Sequence, residues 1–193
     1  MESVRIHDKV FVPYLRQHEI EAAIKDLAGR IDADYAGEHP LFIPILNGSF
    51  MFSSELFKSL KVPSEICFIK LASYKGTTSA EHVITSIGLD TNIGGKHVII
   101  LEDIIDTGKT LNQFLPQLYN QHPASLKIAA MLHKKDATVY NVPLDYCCFS
   151  IPDKFVVGYG LDFAERYRNL PFIGVLRPEI YAGATSVTPD GIG

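Results

Sequence analysis

The sequence is poor in the features that mark several large classes of protein. It has three cysteines among 193 residues, Cys67, Cys147 and Cys148. An odd count with two of them adjacent excludes a disulfide framework, and no Cys/His spacing suits zinc. No run of about 18 apolar residues occurs, so no membrane span is expected. The first residues, MESVRIHDKVF, lack the apolar core of a secretory signal. Positive charge is not in excess: 18 Lys and Arg stand against 22 Asp and Glu, a net charge of −4. A generally basic surface is therefore not indicated, and neither nucleic acid nor membrane is expected as a partner. Internal repeats and interdomain linkers are absent. The expectation is a cytoplasmic protein of one domain, residues 1–193, with a well-buried core and a small accessory lobe.

What is present centres on VIILEDIIDTGKTL, Val98 to Leu111. Val98 to Leu101 is a continuous apolar run, which suits a strand covered on both faces in a parallel sheet. Glu102 and Asp103 follow where that strand should end. Asp106-Thr107-Gly108-Lys109-Thr110 then reads as a tight turn into a helix. Backbone N–H groups in such a turn make an anion site, and open α/β sheets bind ligands at the carboxyl ends of their strands. Three acids beside an anion site imply a ligand with a phosphate and with groups that carboxylates can hold: ribose hydroxyls, a metal or a protonated base. The nucleoside-triphosphatase loop G-x-x-x-x-G-K-[ST] is excluded, because Asp103 stands where its first glycine is required.

Around this centre the chain alternates strands and helices. Ile6 to Pro13 reads as an edge strand. Ile20, Ala23, Ile24, Leu27, Ala28 and Ile31 mark the packed face of a helix. Leu41 to Leu46 is a buried strand interrupted by Pro44, ending at Asn47-Gly48-Ser49. A helix through Phe57 and Leu60 and a strand from Glu65 to Leu71 come next. Ser73 to Ala80 is small and polar, the composition of a mobile loop. Val83 to Ile87 should return antiparallel to the strand before it. Leu111, Phe114, Leu115 and Leu118 mark another helix, with a kink expected at Pro116. Leu126 to Leu132 and Tyr146 to Ile151 are further strands, and the polar tail after Pro178 suits partial disorder.

Glu102-Asp103-Ile104-Ile105-Asp106-Thr107-Gly108-Lys109-Thr110 resembles the ribosyl-phosphate signature of the type I phosphoribosyltransferases, in the form typical of the hypoxanthine-guanine branch. Leu46 to Phe50 resembles the family's pyrophosphate loop, although Asn47 stands where members often carry a basic residue. That loop often holds a non-proline cis peptide. Pro152 to Leu176 resembles the second signature of the 6-oxopurine branch. The likeness runs from about Leu41 to Leu176.

The resemblance implies a parallel-sheet core flanked by helices, with a hood lobe formed by the N-terminal segment and about residues 150–193. It implies transfer of a 5-phosphoribosyl group from phosphoribosyl pyrophosphate to N9 of hypoxanthine or guanine, giving IMP or GMP and pyrophosphate. It also implies residue roles. Asp106 is the catalytic base. The phosphoribosyl group falls to Glu102, Asp103, Thr107, Gly108, Lys109 and Thr110, and the pyrophosphate to Asn47, Gly48 and Arg168. Ser73 and Tyr74 lead a lid. Lys134, Phe155, Val156 and Asp162 form the purine site, with Lys134 expected to select the 6-oxo group. Mg²⁺ is expected at Asp162, Glu102 and Asp103, and assembly as a homodimer or homotetramer. A nucleotide-sensing regulator on the same fold, or a transferase preferring xanthine, remains the alternative.

Overall fold

The computed structural model describes residues 3–6, 9–75 and 82–176. In chain order the elements are β1 (Val4–Ile6), β2 (Lys9–Leu15), α1 (Gln17–Asp34), β3 (Leu41–Leu46), α2 (Phe50–Ser59), β4 (Glu65–Ile66) and β5 (Ile69–Lys75). They continue as β6 (His82–Ile87), β7 (His97–Ile105), α3 (Lys109–Tyr119), β8 (Ser125–His133), β9 (Tyr146–Ser150), β10 (Val156–Val157) and β11 (Ile173–Leu176). The larger sheet runs β6-β5-β3-β7-β8-β9, with β4 also paired to β3. Its pairings are parallel except β5–β6.

Alternation along the central strands explains the continuous apolar runs. Ile99, Leu101, Ala129 and Met131 face the layer of α1 and α2, with Ile20, Ile24, Leu27, Phe52 and Leu56. Val98, Ile100, Ile128 and Ala130 face α3, with Leu111, Phe114, Leu115 and Leu118. Each face is covered, so each strand position must be apolar. Asp32 on α1 accepts the Lys61 and Val62 N–H groups at 2.9 Å each, tying the segment after α2 to that layer.

Pro44 does not interrupt β3, which is continuous through it and pairs it with Leu101. Phe42 O accepts the Cys67 N–H on the opposite side from β7, and a residue two along points the same way. Pro44 therefore turns its missing donor toward Cys67–Phe68, the gap that separates β4 from β5. The same gap divides the single strand expected from Glu65 to Leu71 into two.

Other expectations need correction. The expected first strand is two antiparallel strands, β1 and β2, and β2 lies inside a second, antiparallel sheet ordered β1-β2-β11-β10. It is not an edge, because β11 covers its far side. Strand β7 extends four residues past Leu101, so Glu102 and Asp103 are strand residues rather than the start of a loop. Ser73 and Tyr74 are also on a strand, paired with Ile84 and Val83. Residues 76–80, the rest of the expected loop, and the tail after Pro178 lie outside the described residues. Pro116 lies inside α3, close to its end, as expected. Among the described residues no helix is long and apolar enough to cross a membrane.

Candidate active site

The carboxyl ends of β3, β7, β8 and β9 lead into the segments that carry the expected site residues. Strand β7 passes into Asp106 to Gly108 and then α3. A cavity of about 100 Å³ is lined by Glu102, Ile104, Ile105, Asp106, Thr107, Gly108, Lys109, Thr110 and Leu111. The N-terminus of α3 faces it with no acidic residue in its first turn, so the positive end of the helix is free to meet an anion. Gly108 is the cap, at φ +80°, and an added Cβ would come within 3.0 Å of Tyr140 O and Val142 Cγ2. Only glycine combines that backbone with that contact. The turn is anchored from the β8–β9 connection. The Val139 and Tyr140 N–H groups donate to Thr107 O at 3.1 and 3.0 Å, and the Thr138 hydroxyl reaches Asp106 O at 2.8 Å.

Beside the turn is a charged row. The Lys134 ammonium donates to Asp106 Oδ2 at 2.9 Å and to Asp153 Oδ1 at 3.1 Å. Burial pushes the Lys134 amine down, but the two carboxylates outweigh it and hold it above its usual range. The lysine side chain is 9% exposed, against 50% for Asp106 and 65% for Asp153. The ammonium is thus the buried hub of an acid–base–acid trio. His133 is half-buried, its Nε2 3.1 Å from the Thr138 hydroxyl.

Strand β3 ends in a cis Leu46–Asn47 peptide. Asn47 is exposed and Gly48 buried. A Cβ on Gly48 would fall 1.7 Å from Asp103 Oδ2, and a Cβ on Gly160 would fall 2.0 Å from Gly48 O. The Asn47–Gly48 segment is therefore sandwiched between the Asp103 carboxylate and the backbone at Gly160. Burial is the main cause raising both acids of β7. Glu102 lies well above the usual carboxyl range, with Asp103 adding to the effect, and Asp103 is pushed up to about 6.

The segment after β10 brings two more expected residues together. Arg168 Nη2 is 2.8 Å from Asp162 Oδ1, and its Nη1 donates to Gly160 O at 2.7 Å. Asp162 Oδ2 accepts the Glu165 N–H at 2.8 Å. Asp162 and Arg168 thus neutralise each other beside the Gly48–Gly160 contact. Phe155 is 43% exposed, with its ring edge-on to Phe163 at 5.8 Å. Val156 is buried and paired with Val175.

A large flat ring, a buried ammonium, paired carboxylates and a helix N-terminus share one edge of a parallel sheet. The family model described as "Phosphoribosyl transferase domain" matches residues 13–164. The chain belongs to the phosphoribosyl transferase family. Within it, the chain is 44% identical to the hypoxanthine-guanine phosphoribosyltransferase of Streptococcus pneumoniae strain R6, over 85% of this chain and 92% of that protein. It is 42% identical to the enzyme of that name from Streptococcus agalactiae, over 86% and 93%. Among solved phosphoribosyltransferases, the Bacillus anthracis hypoxanthine-guanine enzyme superposes with a TM-score of 0.78 at 37% identity, covering 86% of this chain and 96% of that one. The Staphylococcus aureus hypoxanthine phosphoribosyltransferase gives 0.80 at 38% identity, covering 88% and 93%.

The donor set suits a hard divalent cation. Glu102 and Asp103 are adjacent carboxyls for which burial makes full ionisation costly, and a nearby cation would relieve that cost. Among the described residues no third His, Cys, Asp or Glu converges with them into a ready metal cage, and Asp162 is paired with Arg168. Mg²⁺ characteristically takes one or two protein carboxylates and fills its shell with phosphate oxygens and water.

Sequence reasoning missed three contributors. Asp153 is hidden because a lone acid before Lys154-Phe155 carries no local signal of a partner on the neighbouring strand. Thr138 acts through one hydroxyl across the loop. Gly160 is one glycine among 14, and only the close approach of Gly48 reveals why it is there.

Proposed function

We propose that this chain is a purine-salvage phosphoribosyltransferase that joins hypoxanthine or guanine, through N9, to the ribosyl group of phosphoribosyl pyrophosphate. The observation that carries the reading is the Asp106–Lys134–Asp153 row beside the helix-capped phosphate turn. Asp106 both lines the cavity at that turn and accepts from Lys134, which supports reading the pair as proton acceptor and 6-oxo-selecting cation next to an anion cradle, and the curated relatives carry the name of this activity.

In this reading the 5′-phosphate takes the Thr107–Thr110 turn, and Glu102 and Asp103 address the ribose hydroxyls. The pyrophosphate lies along Asn47–Gly48, with Arg168 as its cation. The purine stacks on Phe155, and the Val156 backbone meets its edge beside Asp162. Lys134 has three N–H donors and no acceptor. Two donors are held by Asp106 and Asp153, which leaves one for the 6-oxo oxygen. As N9 bonds to C1′, the bond from C1′ to the pyrophosphate oxygen breaks and its electron pair leaves with pyrophosphate. The proton of the purine five-membered ring passes to Asp106, a step worth about 10²–10⁴ in rate. Asp162, with Glu102 and Asp103 nearer the ribose hydroxyls, would hold Mg²⁺, which would supply neutralisation of the leaving group's charge. Ser73 and Tyr74 lead the lid that keeps water from the ribosyl centre. The small sheet of β1, β2, β10 and β11 serves as the hood. We place the enzyme in the cytoplasm as a homodimer or homotetramer.

A panel assay tests the reading. Purified protein, phosphoribosyl pyrophosphate and Mg²⁺ are offered hypoxanthine, guanine, xanthine, adenine and uracil in turn. Nucleotide formation from hypoxanthine and guanine supports it. Turnover of none, with nucleotide binding retained, would favour a sensor, and a strong preference for xanthine would move the substrate assignment.

A further inference from the structure

Asp153 has no role in the reaction as set out above, yet it holds the residue that meets the purine. Three adjacent strands end in line. Strand β7 leads to Asp106, β8 to Lys134, and β9 to the turn that carries Asp153. Pairing persists to the row itself: the Lys134 N–H donates to Ile105 O at 2.9 Å, and the Ile151 N–H to His133 O at 2.9 Å. The turn is closed by the Lys154 N–H on Pro152 O at 2.8 Å. The carboxylate of Asp153 is thus delivered by a tight turn on fixed strands, and it reaches an ammonium that is 9% exposed.

The chemistry supplies the reason for a second acid. One ammonium faces two carboxylates, so the row carries one net negative charge. When Asp106 takes the purine proton it becomes neutral, and its pull on Lys134 falls. A lysine held by Asp106 alone would then lose its only anionic partner at the moment its place beside the purine matters. Before the transfer it would sit fully on Asp106 and compete for the lone pair that must take the proton. A fixed second carboxylate removes both problems. We propose that Asp153 is a positioning residue for 6-oxopurine use, holding the Lys134 ammonium at the purine edge while Asp106 changes charge. It does not touch the purine, and it acts through Lys134. The inference rests on the placement of Lys134 at the 6-oxo group.

The test is a double-mutant cycle read in steady-state kinetics with saturating phosphoribosyl pyrophosphate and Mg²⁺. Asp153→Asn keeps the shape and removes the charge. Its effect should fall on the purine: KM for hypoxanthine should rise about fivefold, the scale of losing a partly exposed charge-assisted hydrogen bond. KM for phosphoribosyl pyrophosphate should stay within about twofold, a precision set by ordinary kinetic scatter around small free-energy changes. Asp153→Glu should recover most of the loss, and it serves as the working variant if the asparagine form folds poorly. In a Lys134→Met background, Asp153→Asn should add nothing. An Asp153→Asn enzyme with wild-type hypoxanthine kinetics overturns the proposal, as does a full effect retained in the Lys134→Met background or a glutamate that restores nothing. If Lys134→Met itself leaves hypoxanthine use unchanged, the placement of Lys134 fails instead, so the two failures are separable.

Discussion

Three glycines offer a graded test of how the cleft is held together. Gly29 lies on the exposed face of α1 with nothing within 4 Å of an added Cβ. Gly37 has the same open space but sits at φ +87°. Gly160 sits at φ +100° and would place its Cβ 2.0 Å from Gly48 O. Alanine at Gly29 should stabilise the fold by up to about 1 kcal/mol, through helix propensity alone. Alanine at Gly37 suffers only the backbone conformation, about 1–2 kcal/mol. Alanine at Gly160 adds a backbone–backbone overlap, about 1–3 kcal/mol more, for a total of about 2–5 kcal/mol. A domain of 150–250 residues shifts by about 2–4 °C per kcal/mol. The melting temperature followed by circular dichroism should therefore rise slightly for Gly29→Ala, fall a few degrees for Gly37→Ala, and fall by roughly 4–20 °C for Gly160→Ala. The last variant should also raise KM for phosphoribosyl pyrophosphate, because Gly48 has nowhere else to go with Asp103 on its other side. A Gly160→Ala protein that melts no lower than Gly37→Ala would refute the close packing of the two loops.

Other perturbations reach the chemistry directly. Asp106→Asn should lower single-turnover chemistry by about 10²–10⁴ and leave phosphoribosyl pyrophosphate binding intact; a turnover near wild type would remove Asp106 as the base. Lys134→Met should cost hypoxanthine far more than adenine, since adenine presents a donor where 6-oxopurines present an acceptor. An unchanged ratio of the two kcat/KM values would show that selection lies elsewhere. Asp103→Asn should trade activity for stability in a pH-dependent way. The folded form keeps the Asp103 proton up to about 6, whereas the unfolded chain releases it near 3.9. The stabilising contribution of this group is full below about pH 4 and is lost as pH rises through 6. The variant should thus melt higher than wild type at pH 8 and lose that margin by pH 4, while phosphoribosyl transfer falls. A margin constant across that range would contradict the burial of the pair.

The legible parts of this protein are those written in local pattern. Apolar runs at Val98 to Leu101 and Leu126 to Leu132 announce strands buried on both faces, and the Asp106–Thr110 turn into a helix is legible because its parts are contiguous. Strand ends are less legible, since β7 continues through Glu102 and Asp103, whose charges argue locally for a loop. Pro44 misleads for a related reason. Its tolerance depends on a gap between β4 and β5 that no property of β3 reveals. The antiparallel sheet is half visible, because its pairing joins residues from opposite ends of the chain. Within the candidate site, residues in a contiguous motif can be singled out from the sequence, whereas Asp153 and Gly160 matter through a contact with a distant segment and cannot.

Lys134 is 28 residues from Asp106 along the chain, and Asp153 is 19 from Lys134. Across the sheet they stand one strand apart, a step of about 4.8 Å. The constellation is therefore stored in lateral order and not in linear distance. Doubling the length of a connecting loop costs only about 0.6 kcal/mol of closure entropy. Insertions between β7 and β8, or between β8 and β9 away from the Val139–Tyr140 anchor, could accumulate without moving these three groups. A search keyed to fixed intervals would lose track of such a descendant. One keyed to which residue terminates which neighbouring strand would still find it.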